Sequence, residues 1–285
     1  MTLRKLPIYA WAGAIAMAVS EAGMLARLPP FYHWHTPIAW SGYILFADGL
    51  LWKRRGASWV RNARAELVFL ALVSVPLWVI FELYNKCCLE NWYYVGLPDA
   101  IPLRYFGYAW SFATIWPAIF ITGDLVSAIR DRRAPHTRAD LHRREPLGAV
   151  GLVSVIVGAL MLAVPLIVPS PYLAAPVWLG FFFLLDPLNA RAGDESILGD
   201  LREQRRDRLI NLAVAGLVCG VLWEFWNYWA IAKWHYTVPI MEDLKLFEMP
   251  VPGYLGFPAF ALECFAMYVF VRRLIWRGAE RPISV

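Results

Sequence analysis

Apolar residues fall in eight blocks along the chain, approximately 6–26, 37–52, 66–85, 105–128, 147–168, 173–188, 209–232 and 253–271. Charged residues gather between these blocks instead of alternating with apolar ones inside them. A hydrocarbon core about 30 Å thick is crossed by ~20 apolar residues of α-helix. The pattern therefore predicts an all-α polytopic membrane protein with about eight transmembrane helices. The second and sixth blocks are short, and Pro, Gly and aromatic residues blur their margins.

The connections sort by charge. Arg4 and Lys5 precede the first block, and Lys53, Arg54, Arg55, Arg61 and Arg64 follow the second. Arg130, Arg132, Arg133, Arg138, Arg143 and Arg144 follow the fourth block, and Arg191, Arg202, Arg205, Arg206 and Arg208 the sixth. Arg272, Arg273, Arg277 and Arg281 end the chain, which leaves only Arg27, Lys86, Arg104, Lys233 and Lys245 for the other side. The positive-inside bias then predicts a multi-pass protein of the inner (plasma) membrane with both termini cytoplasmic. An even number of spans is needed to keep that alternation. Arg4 and Lys5 before an apolar stretch resemble a signal peptide, but Glu21 lies late in the stretch and no A-x-A site follows, so the segment is expected to remain.

The two halves of the chain are similar at a spacing of about 140 residues. Trp40-x-Gly42-Tyr43 followed by Asp48 matches Trp178-x-Gly180-Phe181 followed by Asp186. Phe81-Glu82-Leu83-Tyr84-Asn85 matches Trp223-Glu224-Phe225-Trp226-Asn227. After each glutamate come a tryptophan, a tyrosine and a proline in the same order: Trp92, Tyr94 and Pro98, then Trp234, Tyr236 and Pro239. Gly107-Tyr108 corresponds to Gly253-Tyr254. These matches predict tandem four-helix repeats, 1–142 and 143–285. Four spans per unit give both units one orientation, so their pseudo-two-fold axis should run along the membrane normal.

Composition narrows the class. Of the 285 residues 59% are hydrophobic and 17% charged, with 15 Trp, against roughly 45–50% apolar and about 25% charged in ordinary soluble domains. A disordered chain, a disulfide scaffold and a soluble α/β enzyme are excluded. The net charge of +5 flanks apolar segments without a recognition motif, so nucleic acid is not an expected partner. Cys87, Cys88, Cys219 and Cys264 form no C-x-x-C and read as small buried hydrophobes. No phosphate loop, nucleophile elbow or dinucleotide fingerprint occurs, and no cofactor is expected.

Ionisable groups inside a bilayer are costly and mark function by default. Glu82 and Glu224 stand near the ends of the third and seventh spans, with Asn85 and Asn227 on the same helix faces. A carboxyl facing inward among Trp78, Phe81, Trp223 and Trp226 is expected to hold its proton and serve as a general acid, with the Asn as its hydrogen-bond partner. An interhelical hydrogen bond that fixes packing is the alternative. Glu263 lies within the eighth span after Pro258, which is expected to kink it, and the first half carries Pro117 at the matching place. Asp48 and Asp186 are expected to cap or to pair with Arg54 and Arg191. The connections 86–104 and 233–252 form either interfacial belts or the roof of a lipid-accessible cavity, and the 241–249 stretch looks amphipathic. His33, His35 and His235 are a weak candidate metal cluster without supporting ligands.

Trp223-Glu224 closing a helix, then Trp234-x-Tyr236, a Pro-rich turn and a helix with Pro258-x-x-x-x-Glu263 resemble the integral-membrane lycopene cyclase-like proteins. The resemblance covers about 50 residues of each half; the family's paired glutamates after proline are absent, and Glu224 and Asn227 replace its usual Asp-Gly. It implies an isoprenoid or lipid substrate and carotenoid-type cyclase, isomerase or hydratase chemistry. Such chemistry protonates a double bond in a dry pocket and stabilises the cation on aromatic faces. Glu224, Glu263 and Glu82 are the expected catalytic acids and bases, and Asn85, Trp92, Tyr94, Trp223, Trp226, Asn227, Trp234 and Tyr236 the expected binding residues. A proton-coupled transporter of an apolar or amphipathic substrate, or a non-catalytic lipid-binding subunit, are the competing expectations. Self-association into a homo-oligomer is compatible with each.

Overall fold

The computed structural model describes residues 4–130 and 147–275. Its helices are α1 (Ile8–Leu25), α2 (Phe31–Arg55), α3 (Trp59–Asn62), α4 (Arg64–Tyr84), α5 (Ile101–Arg130), α6 (Gly148–Ile167), α7 (Ala174–Ala192), α8 (Ile197–Arg202), α9 (Asp207–Trp229) and α10 (Gly256–Ile275). Among the described residues, seven stretches are long and apolar enough to cross a membrane: α1, α4 with the π-helical turn after it, α5, α6, Pro171–Ala192 around α7, α9, and Val251–Ile275 around α10. The chain is therefore a helical, multi-pass membrane protein. Its bundle presents Ile15, Leu72, Val153, Leu160 and Leu217 outward, as a surface in contact with lipid tails requires.

Helix α2 does not reach that apolarity because it carries His33, His35, Asp48, Lys53, Arg54 and Arg55. It is nevertheless 25 residues long and lies antiparallel along α1. Small residues set that approach. A Cβ on Gly13 would lie 2.4 Å from the Gly42 carbonyl oxygen, and one on Gly49 2.3 Å from the Ala10 Cβ. The helix begins at Phe31, six residues before the expected 37, and takes Pro37 inside with non-helical geometry at Trp34. Pro37 has no N–H for the turn before it, and the chain yields there.

Helix α1 packs on α2, and α5 packs on both α2 and α4; α6 packs on α7, and α10 packs on both α7 and α9. Asp48 and Asp186 perform one task twice. Asp48 accepts from Tyr9 Oη (2.8 Å) and Val60 N (3.2 Å). Asp186 accepts from Ser196 Oγ (2.8 Å), Ile197 N (2.9 Å) and Leu198 N (2.8 Å). Each carboxylate receives the start of a short helix, α3 or α8, whose first N–H groups have no intrahelical partner. Capping, not pairing with Arg54 or Arg191, is their role.

The segments before and after 131–146 are bound together along their length. Trp116 Nε1 donates to the Cys264 carbonyl (2.9 Å) and Tyr84 Oη to the Leu162 carbonyl (3.0 Å). Tyr268 Oη donates to Glu66 (2.9 Å), which also pairs with Arg272 (3.0 Å). At this basic end Arg130 reaches Asn211 (2.6 Å) and Arg205 reaches Asp200 (2.9 Å). Arg132, Arg133, Arg138, Arg143, Arg144, Arg277 and Arg281 lie outside the described residues.

Two expectations are corrected. Pro258 is the third residue of α10, within the first turn, where a missing N–H breaks no helical bond, so it introduces no kink. The 241–249 stretch is not an amphipathic helix. It turns through Met241 and Phe247, both with positive φ, into a short ribbon of β3 (Lys245–Leu246) and β4 (Met249–Pro250). Pro239, Pro250 and Pro252 bracket too few residues for a stable helix.

Candidate functional site

At the aromatic end of the bundle, opposite the basic end, the two long connections meet. Strand β1 (Trp92–Val95) pairs antiparallel with β2 (Lys233–Tyr236), with Trp92 opposite Tyr236 and Tyr94 opposite Trp234. The register is reciprocal: each residue of a W-x-Y motif faces the other residue of the second motif, as in a self-complementary two-fold contact.

The asparagines hold this ribbon. Asn85 Nδ2 donates to the Trp92 carbonyl (2.8 Å), and its Oδ1 accepts from Asn91 N (2.7 Å) and Trp92 N (3.1 Å). Asn227 Nδ2 donates to the Trp234 carbonyl (2.9 Å) and Oδ1 accepts from Trp234 N (2.9 Å). The expected Asn–Glu hydrogen bond is replaced by these backbone bonds, because an amide matches both groups of an extended chain. The glutamates bind tyrosine instead. Tyr94 Oη donates to Glu82 Oε1 at 2.5 Å and Tyr236 Oη to Glu224 Oε1 at 2.7 Å. Burial first, and the adjacent carboxyl second, push both tyrosine hydroxyls well above their ordinary pKa, so they remain protonated.

The two pairs differ. Glu82 Oε1 also faces Trp78 Nε1 (2.8 Å) and Trp92 Nε1 (3.4 Å), so three donors converge on one oxygen. Glu224 is fully buried, and its Oε2 has no hydrogen-bond partner among the described residues.

Beneath the ribbon is a cavity of about 520 Å³ whose walls come from both segments. That size lies within the range of small-molecule sites. Trp92, Tyr94, Trp223, Trp234 and Tyr236 line it, while Glu82, Glu224, Glu263, Asn85, Asn227 and Trp226 do not. The tyrosines are thus the cavity-facing ends of the Glu–Tyr pairs. Trp226 packs behind the wall against Trp40, at 4.9 Å between ring centres. Glu263 accepts from Phe181 N (2.8 Å) on α7 and stands outside the lining.

Sequence reasoning did not name Trp40, Trp78, Trp178, Tyr108 and Phe260 as site residues, yet all five line the cavity. Trp40 and Trp178 occupy the repeated W-x-G, which was a usable signal. Trp78 and Trp223 lie 5.6 Å apart, and Trp178 is 5.2 Å from Phe260. Toward the basic end the cavity stops at Ala118, Ile119 and Cys219. Beyond it Tyr43 bonds Thr122 (2.7 Å), and Phe120 and Phe265 fill the interior.

The histidines diverge: His33 Nδ1 meets the Gly96 carbonyl (3.2 Å), His35 Nδ1 meets Ser20 Oγ (2.9 Å) and His235 meets Glu248 (3.1 Å). Among the described residues no three His, Cys, Asp or Glu side chains are placed to hold a metal ion. Comparison with family models, with curated proteins and with solved structures finds no match to this chain.

Proposed function

We propose that this chain is an intramembrane enzyme that rearranges an isoprenoid or related lipid by proton transfer at a double bond. The observation that carries the reading is the placement of Tyr94 and Tyr236, each bound to a buried glutamate, on the wall of one tryptophan-lined cavity. In this reading the protein comprises tandem four-helix units, 1–142 and 143–285, with α2 as the eighth span. The doubled hydrogen bonds of Glu82 and Glu224, Asn85 and Asn227, and Asp48 and Asp186 support it. Both termini lie in the cytoplasm of the inner membrane, which the positive-inside bias supports.

The proton path balances. Tyr236 turns its hydroxyl hydrogen from Glu224 to the cavity, gives it to one carbon of the double bond and accepts a proton from the Glu224 carboxylic acid, so the hydrogen bond reverses and Glu224 is left ionised. The resulting carbocation is held against the faces of Trp78, Trp178 and Trp223. A neighbouring C–H proton then passes through Tyr94 to Glu82, whose three converging donors suit a carboxylate. A shifted double bond or a closed ring results, and proton exchange with water restores both glutamates. The cavity stops at mid-bundle, which favours chemistry on a bound lipid over passage through the protein. The lycopene cyclase-like resemblance agrees with this substrate class.

The test uses membranes containing the protein, incubated in D₂O, with extracted isoprenoids analysed by mass spectrometry. Deuterium should enter an isomerised or cyclised product and be absent with Glu224→Gln. A product pool identical to that of membranes lacking the protein overturns the reading.

A further inference from the structure

The cavity has a polar rim. No Asp or Glu is among its lining residues, whereas Arg104, Lys233 and His33 are. Lys233 is already neutralised by Glu248 at 2.7 Å, and His33 is engaged by the Gly96 carbonyl. Arg104, in the first turn of α5, is anchored through Nε to the Pro98 carbonyl at 3.1 Å. Among the described residues no acidic side chain pairs with it. Its two terminal nitrogens thus remain available as the fork that grips carboxylate or phosphate oxygens.

Neighbouring atoms on the same wall are also without partners. Trp34 Nε1 and Thr36 Oγ1 are buried and make no hydrogen bond among the described residues. Trp34 packs on Phe106 of α5, at 5.4 Å between ring centres, which places it beside the turn that carries Arg104.

We propose that the cavity takes an amphiphile with an anionic headgroup, a phosphate or carboxylate seated on Arg104, and an isoprenoid chain running inward between the tryptophans. This rests on the reading of the cavity as an isoprenoid site and adds the headgroup. Tyr108 lies one helical turn beyond Arg104, and its ring is 5.4 Å from that of Tyr94. A head held at Arg104 therefore sets its nearest carbons beside the Tyr94–Glu82 pair, and the far end of the chain toward Ala118 and Cys219.

Quenching of tryptophan fluorescence reports binding to the full chain in a neutral detergent. The probes are geranylgeranyl monophosphate, geranylgeraniol and inorganic phosphate. The monophosphate should bind at least tenfold more tightly than the alcohol, and millimolar inorganic phosphate should not displace it. Arg104→Gln should close that gap without changing the affinity for the alcohol. Lys233→Gln should leave the gap intact. Arg104→Lys, a second variant that keeps the charge but loses the fork, should retain only part of it. Equal affinities for phosphate and alcohol, or a gap that survives Arg104→Gln, overturn the headgroup assignment but leave the isoprenoid site standing. Displacement by inorganic phosphate alone would make this a free-oxyanion site and also overturn the assignment. Failure of both prenyl probes to bind overturns the isoprenoid reading itself.

Discussion

Tyr236 donates its hydroxyl hydrogen to Glu224 Oε1 at 2.7 Å while its ring forms part of the cavity wall. A buried carboxyl that never reaches the cavity is thereby coupled to whatever occupies it. Tyr94 couples Glu82 in the same way across the ribbon.

Removing the coupling while keeping the ring isolates its contribution. Tyr236→Phe should reduce deuterium incorporation from D₂O by ~10²–10⁴-fold, the usual range for a lost acid–base group. The protein should still fold and still bind geranylgeranyl monophosphate. Undiminished incorporation would remove Tyr236 from the proton path.

Glu263 is expected to behave differently, because it holds the Phe181 N–H of α7 and stands outside the lining. Glu263→Ala removes the acceptor of the Phe181 N–H and leaves that buried group without its partner. A loss of about 1–3 kcal/mol in stability follows from an unsatisfied buried polar group. Thermal unfolding in detergent should show a lower Tm, with deuterium incorporation per folded molecule preserved. Abolished incorporation at unchanged Tm would return Glu263 to the chemistry.

Residues 1–142 and 143–285 expressed as separate chains should co-purify. Trp116 with Cys264, Tyr84 with Leu162 and Glu66 with Arg272 all cross between them, as does the β1–β2 ribbon. Fragments that never associate would mean that these contacts need the covalent connection.

Cys87 is exposed beside the aromatic end, whereas Cys88, Cys219 and Cys264 are buried. A membrane-impermeant maleimide applied from outside the cell should label the native protein, and Cys87→Ser should abolish that label. Labelling only after the cells are opened would invert the proposed orientation.

Glu248 stands outside the spans and titrates. Burial alone would raise its pKa, but hydrogen bonds from Lys233 and His235 outweigh it and hold the carboxyl below its usual 4.5. A depressed folded value means stabilisation that is complete above pH 4.5 and lost as pH falls through the folded pKa. Hydrogen exchange in 241–250 should therefore be slow at pH 6 and accelerate, after correction for intrinsic rates, below that window. Glu248→Gln should show the faster corrected exchange at both pH values. Equal protection of the native protein across the range would show that the Lys233–Glu248 pair does not anchor the segment.

Hydrophobic periodicity made the helices legible because a bilayer imposes a length and an apolarity on each crossing. Span boundaries fell within a few residues except where Pro37 lies inside α2, since proline weakens a helix without always ending it. The internal matches pointed to Glu82, Asn85, Trp92 and Tyr94 and to their counterparts, because a repeated hydrogen-bond arrangement leaves a repeated residue pattern. The partners within each motif were not legible. The choice of Tyr over Asn for each glutamate depends on how β1 and β2 fold back over the helix ends, where Asn85 and Asn227 are taken up by backbone groups. Nor could spacing show that Trp40, Trp78, Trp178 and Phe260 enclose one cavity, or that Arg104 faces its rim without an acidic partner. Those relations join residues far apart in the chain. Packing between helices selects them, and the one-dimensional pattern records only that each residue is apolar, aromatic or charged.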